Sequence, residues 1–121
     1  MTHDVTRLTE VGAALLERAG QASSRRATTA FRAAEGGQLT QVVVALLAGA
    51  ELVDHDNPGE AFLQVITGRT ELVADEDRWE VAAGEQVAVP QRRHRLTALE
   101  DSVALLTLIK LPKPVDLTNQ R

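Results

Sequence analysis

The sequence predicts an all-β fold, a sandwich or barrel of antiparallel strands, with a single N-terminal α-helix. Turn signals rich in Gly, Pro, Asn and Asp recur at intervals of roughly 8–12 residues, the spacing of small sandwiches and barrels. Short runs of Val, Leu, Ile and Thr lie between those signals, whereas helical spacing of apolar residues is confined to the N-terminal region. The length of 121 residues suits one domain, so we assign 1–121 to a single domain.

The helix is predicted over residues 6–20. One apolar face recurs at spacings of three and four, formed by Leu8, Val11, Leu15 and Ala19. We expect Thr6 or Asp4 to cap the start of the helix. We expect Gly20 to end it in a left-handed conformation. The helix is interpreted as a cover over one face of a sheet.

Nine short strands are predicted after the helix. Their ranges are 25–31, 39–47, 51–54, 61–67, 70–74, 79–82, 86–89, 94–99 and 103–110. The barrel core is assigned to 39–111. The segment 112–121 contains Pro112 and Pro114, which cannot continue a central strand, so it is predicted to be an extended C-terminal tail.

Three of these strands are apolar almost throughout, at 42–47, 61–66 and 103–109. Such strands need cover on both faces, because neither face alternates with polar residues. One face can line the interior of a barrel, but one short helix cannot cover the outer face of three strands. We therefore expect a second copy of the chain to supply the remaining cover, in a homodimer.

Composition excludes several classes of function. The chain has no cysteine, so a disulfide framework, a thiolate metal site and a Cys nucleophile are excluded. A net charge of -4 and only three aromatic residues argue against binding nucleic acid. The first residues lack the pattern of a signal peptide, and no apolar run approaches the length of a membrane span. We expect a cytoplasmic protein that does not bind membranes.

Two spaced motifs lie between Gly49 and Ile109. In the first, five residues separate Gly49 from His55, and six separate Ala61 from Gly68. In this register it resembles the first motif of the cupin superfamily, G-x5-H-x-H-x3-E-x6-G. The resemblance is to the small, single-domain RmlC-like jelly rolls of the Cupin_2 type. The resemblance implies a cupin jelly-roll β-barrel built from an antiparallel double sheet.

The second motif begins at Gly84 and resembles the cupin pattern G-x5-P-x-G-x2-H-x3-N. Five residues separate Gly84 from Pro90, and His94 follows one position earlier than the pattern requires. The Gly and Asn of the pattern are absent. The glycines of both motifs are expected at sharp reversals that require a positive φ or a missing side chain.

The resemblance also implies a metal site of three His and one Glu, and this chain lacks half of it. The corresponding positions hold His55, Asn57, Ala61 and His94. Alanine cannot ligate, the Asn offers a neutral carbonyl oxygen, and two imidazoles fall short of three protein ligands. Glu60 could join them only through a local bulge. We expect no cofactor. A divalent transition metal, if one binds, would use His55 and His94.

The function inferred is binding of a small organic ligand in the barrel. The predicted ligand-binding residues are His55, Asn57, Ala61, Leu63, Val65, Arg92 and His94. Imidazole and amide groups would provide polar contacts, and the aliphatic side chains would provide burial. Arg92 is interpreted either as solvated charge on an edge strand or as a selector of anionic ligands at the barrel mouth.

Two other functions remain open. The chain could be a metal-dependent enzyme of the dioxygenase or isomerase type that uses His55 and His94, so whether it catalyses a reaction is left undecided. It could instead be a regulatory or structural homodimeric partner protein. Elemental analysis of the purified protein distinguishes a metal-dependent enzyme from a protein that only binds a ligand. Deleting residues 1–20 tests whether the helix covers the sheet or binds a partner.

Overall fold

A computed structural model describes residues 5–54 and 59–109. His3, His55, Asn57 and the predicted tail 112–121 lie outside the described residues. In the described part, no helix is both long and apolar enough to cross a bilayer.

The described residues form one helix and nine strands, as predicted. Their bounds are α1 (Leu8–Gln21), β1 (Arg26–Arg32), β2 (Leu39–Leu46), β3 (Glu51–Asp54), β4 (Ala61–Thr67), β5 (Arg69–Ala74), β6 (Asp77–Ala82), β7 (Gln86–Ala88), β8 (His94–Ala98) and β9 (Ser102–Ile109). Each predicted strand is present, with its bounds shifted by no more than two residues. The all-β prediction with one N-terminal helix is therefore confirmed.

The described strands form two antiparallel sheets. The larger sheet has the order β1-β2-β9-β4-β7, and the smaller sheet has the order β3-β8-β5-β6. Strands adjacent in sequence often lie in different sheets, so the chain crosses repeatedly between them. This is the double-sheet arrangement of a jelly roll.

Alternation along each strand divides the larger sheet into an inner and an outer face. On β4, Leu63 and Val65 are buried and belong to the core between the two sheets, whereas Phe62 points outward and is half exposed. Opposite them, Leu72 and Leu96 of the smaller sheet contribute to the same core. The barrel interior is therefore a packed aliphatic core.

A second core lies outside the barrel, between α1 and the larger sheet. Leu15 and Ala19 of the helix are buried in one cluster with Val43 of β2 and Val103 of β9. Gly12 lies so close to β9 that an added Cβ would be 2.8 Å from Cγ1 of Val103. The helix thus covers β1, β2 and the first half of β9, and the predicted covering role is confirmed for that part of the sheet.

The ends of α1 differ from the prediction. The helix begins at Leu8, and Arg7 is its N-cap residue with no side-chain hydrogen bond, so Thr6 does not cap it. Gly20 lies inside the helix, without a positive φ, and the helix continues to Gln21. The N–H of Ala22 donates to the carbonyl of Ala19 and closes the last turn, so a left-handed residue is not needed. Asp4 lies outside the described residues.

The motif glycines have the conformation that the sequence predicted. Gly49, Gly68 and Gly84 all have positive φ, between 86° and 88°. At Gly68 the missing side chain matters as well, because an added Cβ would collide with the carbonyl oxygen of Asp101 and the hydroxyl of Ser102. This glycine therefore allows the β4–β5 turn to lie directly against the start of β9.

Candidate ligand-binding site

A cavity of about 100 Å³ opens at one end of the barrel, between the two sheets. Its described lining is mostly aliphatic and includes Leu52, Leu63, Leu72, Leu96, Leu106 and Leu108. Apolar side chains with a few polar groups are the usual lining of small-molecule sites. Such a lining favours burial of a small apolar group.

Strand register brings these side chains to opposite sides of the cavity. On the larger sheet, Ala61 pairs with Leu108 and Leu63 pairs with Leu106. The inward-facing residues of β4 therefore lie beside the inward-facing residues of β9. On the smaller sheet, Leu52 of β3 pairs with Leu96 of β8. The cavity is thus a gap left in the barrel core near its open end.

His94 supplies a half-buried imidazole to the lining. It is the first residue of β8, and its Nδ1 lies 2.9 Å from the backbone carbonyl oxygen of Arg92. A carbonyl oxygen can only accept, so Nδ1 carries the hydrogen. The contact with the carbonyl of Arg92 therefore holds the ring in this orientation.

Glu60 lies at the rim of the cavity, immediately before β4. Its side chain is exposed, and its backbone carbonyl accepts a hydrogen bond from the N–H of Ile109 at 3.2 Å. The irregularity in the β4–β9 pairing falls between Val65 and Thr67, away from Glu60. The rim thus carries an acidic group, and the β4–β9 pairing shows no bulge at Glu60 that would turn it inward.

Arg92 lies outside the described lining. It forms an ion pair with Asp75 at 2.8 Å and a second with Asp77. The hydrogen bonds to Asp77 and then to Asp75 raise the pKa of Arg92, although partial desolvation opposes them. These contacts join the segment before β8 to the β5–β6 turn. The strand that follows is not at an edge, because β8 lies between β3 and β5.

The structure brings together three of the seven predicted ligand-binding residues, Ala61, Leu63 and His94. Val65 is buried in the barrel core and is not part of the lining. His55 and Asn57 lie outside the described residues and remain predictions. Asp54, which precedes His55 in the sequence, pairs with His94 across β3 and β8.

The described residues do not fit the metal site that the cupin resemblance implies. Ala61 occupies the position of the carboxylate ligand and lies in the cavity lining, where its methyl group cannot ligate. Among the side chains that the structure describes, which do not include those of residues 54–58, no three His, Asp or Glu groups cluster closely enough to hold a metal ion.

Sequence reasoning missed several lining residues. The sequence placed Leu106 and Leu108 in an apolar strand but did not show which face of the sheet they occupy. Leu52 was likewise placed in a strand without a role. Once Leu63 is placed inside, antiparallel pairing of β4 and β9 directs both β9 residues to the cavity. The pairing order of the strands was the missing information.

Solved structures of other proteins share this architecture. A conserved protein of unknown function from Streptococcus pyogenes matches with a TM-score of 0.68 and 24% identity, covering 93% of this chain and 92% of that chain. An RmlC-like cupin protein from Desulfovibrio desulfuricans matches with a TM-score of 0.60 and 21% identity, covering 90% and 95%. The Cupin_2 domain of an XRE family transcriptional regulator from Enterobacter cloacae matches with a TM-score of 0.61 and 17% identity, covering 73% and 98%.

The chain therefore has the cupin fold, in agreement with the two motifs. No protein-family model matches the chain, and no curated protein does. At these sequence identities the similarity to the solved structures concerns the fold alone.

Proposed function

We propose that this cupin-fold chain binds a small, mainly apolar organic molecule in the barrel cavity. The observation that supports this is a lining that, among the described residues, is mostly aliphatic and includes the imidazole of His94. His55 and Asn57, predicted to lie near this site, would add polar contacts. Leu63 and its aliphatic neighbours would supply most of the binding free energy through burial.

The acidic group at the cavity rim favours an uncharged ligand. The acidic side chain of Glu60 lies at the rim, and the imidazole of His94 adds a polar group to the lining. A carboxylate ligand would meet Glu60 with like charge. Arg92, the residue that suggested an anionic ligand, forms ion pairs with Asp75 and Asp77 instead. A hydroxyl group next to a short branched alkyl chain fits these features.

The test compares isobutanol with isobutyrate, which have the same carbon skeleton and differ in charge. We expect isobutanol to shift the backbone amide resonances of Leu63 and Leu106 in a titration followed by NMR. Isobutyrate should cause smaller shifts at the same concentration. Replacing His94→Leu should weaken isobutanol binding by about fivefold, the value of one ordinary hydrogen bond.

Ala61→Leu provides the critical variant, because the larger side chain fills the cavity mouth. It should abolish the isobutanol shifts, whereas Ala14→Leu, on the exposed side of α1, should leave them unchanged. Equal binding by Ala61→Leu and the unmodified chain would show that the cavity is not the site. Stronger binding of isobutyrate would overturn the charge argument.

A further inference from the structure

The segment between β7 and β8 forms part of the cavity wall. Val89 and His94, near its two ends, belong to the described lining of the cavity, and residues 90–93 between them lie outside the strands. The N–H of Val89 donates to the carbonyl of Ala61 on β4 at 2.9 Å. At the other end, His94 pairs with Asp54 on β3. The two sheets thus hold this segment at its ends.

Between those ends, the side chain of Arg92 ties the segment to the β5–β6 turn. Its Nη1 donates to Oδ2 of Asp75 at 2.8 Å, and its Nη2 donates to Oδ2 of Asp77. A planar guanidinium that donates to two carboxylates is held in one orientation more firmly than a single flexible ion pair. We call these three residues the Arg92 clamp.

The two carboxylates of the Arg92 clamp are carried by a tight hairpin. Ala74 pairs with Asp77, so a two-residue turn joins β5 to β6. Asp75 has a φ of 53°, the left-handed conformation that such turns require. Val73 of β5 pairs with Arg95 of β8, which brings the turn alongside the residues that precede β8. The smaller sheet therefore sets the position of both carboxylates.

The backbone of Arg92 contacts the cavity lining, although its side chain does not. Its carbonyl oxygen accepts a hydrogen bond from Nδ1 of His94 at 2.9 Å. Anchoring the guanidinium restricts the backbone torsions of Arg92, and with them the direction of this carbonyl. The same residue is thus held on one side by the turn and contacts the imidazole on the other.

We infer that Arg92 is a positioning residue for the cavity, whose clamping by Asp75 and Asp77 orients the imidazole of His94. Two aspartates that lie outside the cavity lining thereby act on a side chain within it. This inference rests on the proposed function, because it concerns how the proposed ligand site keeps its shape. It assigns the β5–β6 turn a part in ligand binding without any contact with the ligand.

The alternative role of the Arg92 clamp is to stabilise the fold, as any ion pair might. Arg78 provides the comparison, because it forms an exposed ion pair with Glu71 at 3.0 Å on the same sheet. Exposed pairs of this kind contribute little to stability. Removal of either guanidinium breaks an ion pair, but only Arg92 also bonds to His94 through its carbonyl. Arg78→Met is therefore the matched control for Arg92→Met.

The first test follows the ring carbon–proton resonances of His94 by NMR in the full chain, with no ligand present. The chain has three histidines, and His94→Leu identifies the signals of this ring. Arg92→Met should shift them, and Asp75→Asn combined with Asp77→Asn should shift them in the same direction. A change of local charge alone would act in opposite directions, because the first variant removes a positive charge and the second removes negative charges. Arg78→Met should leave the signals unchanged.

The second test measures the affinity for isobutanol from the amide shift of Leu63. Arg92→Met should weaken binding by about twofold, the size expected for an exposed ion-pair network. This loss is smaller than that expected for His94→Leu, because the ring itself is retained. In the His94→Leu background, Arg92→Met should cause no further loss, since the Arg92 clamp acts through the ring. Arg78→Met should bind isobutanol as the unmodified chain does.

Ring signals of His94 that stay in place, or that move in opposite directions in the two clamp variants, overturn the inference. An affinity that Arg92→Met leaves unchanged, or lowers equally with and without His94, also overturns it. Same-direction ring shifts in a chain that binds no isobutanol would support the Arg92 clamp and overturn the proposed function instead. Circular dichroism verifies that each variant is folded, and Arg92→Lys, which keeps the charge without the planar fork, should give an intermediate ring shift.

Discussion

At the scale of single residues, Gly68 has two separate reasons to be glycine. Its φ of 88° is unfavourable for any residue with a Cβ. An added Cβ would also lie 2.7 Å from the Cα of Ser102. Gly84 has nearly the same φ, 87°, but nothing lies within 4 Å of its added Cβ. Substitutions at the two positions can therefore distinguish the cost of backbone strain from the cost of a steric collision.

We expect Gly68→Ala to lower the free energy of unfolding by about 3 kcal/mol or more, because strain and overpacking add. Gly84→Ala should cost only about 1–2 kcal/mol, the cost of strain alone. Urea denaturation followed by circular dichroism measures both variants. Equal losses would mean that the turn at Gly68 moves away from β9 and relieves the collision.

Arg92 is a second residue whose role can be tested by itself. Its guanidinium is held by Asp75 and Asp77, away from the cavity lining. We expect Arg92→Met to leave the ratio of isobutanol to isobutyrate affinity unchanged in the NMR titration. A selective loss of isobutyrate binding would instead support the role of anion selector.

Residue chemistry was only partly predictable from the sequence. Ala61 and His94 were placed in the barrel because they occupy motif positions that, by the resemblance to cupins, point inward. Arg92 was ambiguous, since its partners lie 15 and 17 residues away on a different turn. That pairing depends on how β5, β6 and β8 are arranged, which local sequence patterns do not encode.

At the scale of elements, the strands were predictable because each is a short apolar run between turn residues. The helix was predictable from its apolar face, of which Leu15 and Ala19 are buried. The predicted C-terminal end of the helix was wrong because the last turn closes through a backbone hydrogen bond. The predicted N-terminal end was wrong because Arg7, and not Thr6, is the N-cap residue. The burial of Gly12 against β9 was also missed, since a small residue at a close approach resembles a weak helix former.

The docking of α1 can be tested at neighbouring positions. We expect Leu15→Ala to lower the free energy of unfolding by about 2–5 kcal/mol, the usual cost of removing a buried leucine. Leu16 lies at the edge of the same cluster and is partly buried, so Leu16→Ala should cost clearly less. Thermal or urea unfolding measures the difference. A larger loss for Leu16→Ala would contradict the described packing.

At the scale of the whole molecule, the order of strands decides which parts of the barrel are protected. In the larger sheet, β9 lies between β2 and β4, and both faces of its first half are buried. β1 and β7 are the outer strands of that sheet. This order could not be read from the sequence, since the β2–β9, β9–β4 and β4–β7 pairings join strands far apart along the chain.

Native-state hydrogen exchange should follow that order. We expect the amides of Ala104 and Leu105 to exchange slowest, because opening them requires global unfolding. Amides of β7 should exchange fastest among the strand amides of the larger sheet. Exchange measured by NMR or mass spectrometry provides the comparison. Faster exchange in β9 than in β7 would contradict the strand order.

The alternation of β9 also limits how the chain can change in length. Along β9, Leu106 and Leu108 pair with the inward residues Leu63 and Ala61, whereas the alternate residue Thr107 pairs with the outward Phe62. One inserted residue within β9 would exchange these two sets, turning leucines toward solvent and a threonine hydroxyl into the apolar interior. Natural insertions and deletions are therefore expected in the β1–β2 connection, around 33–38, and not within β9.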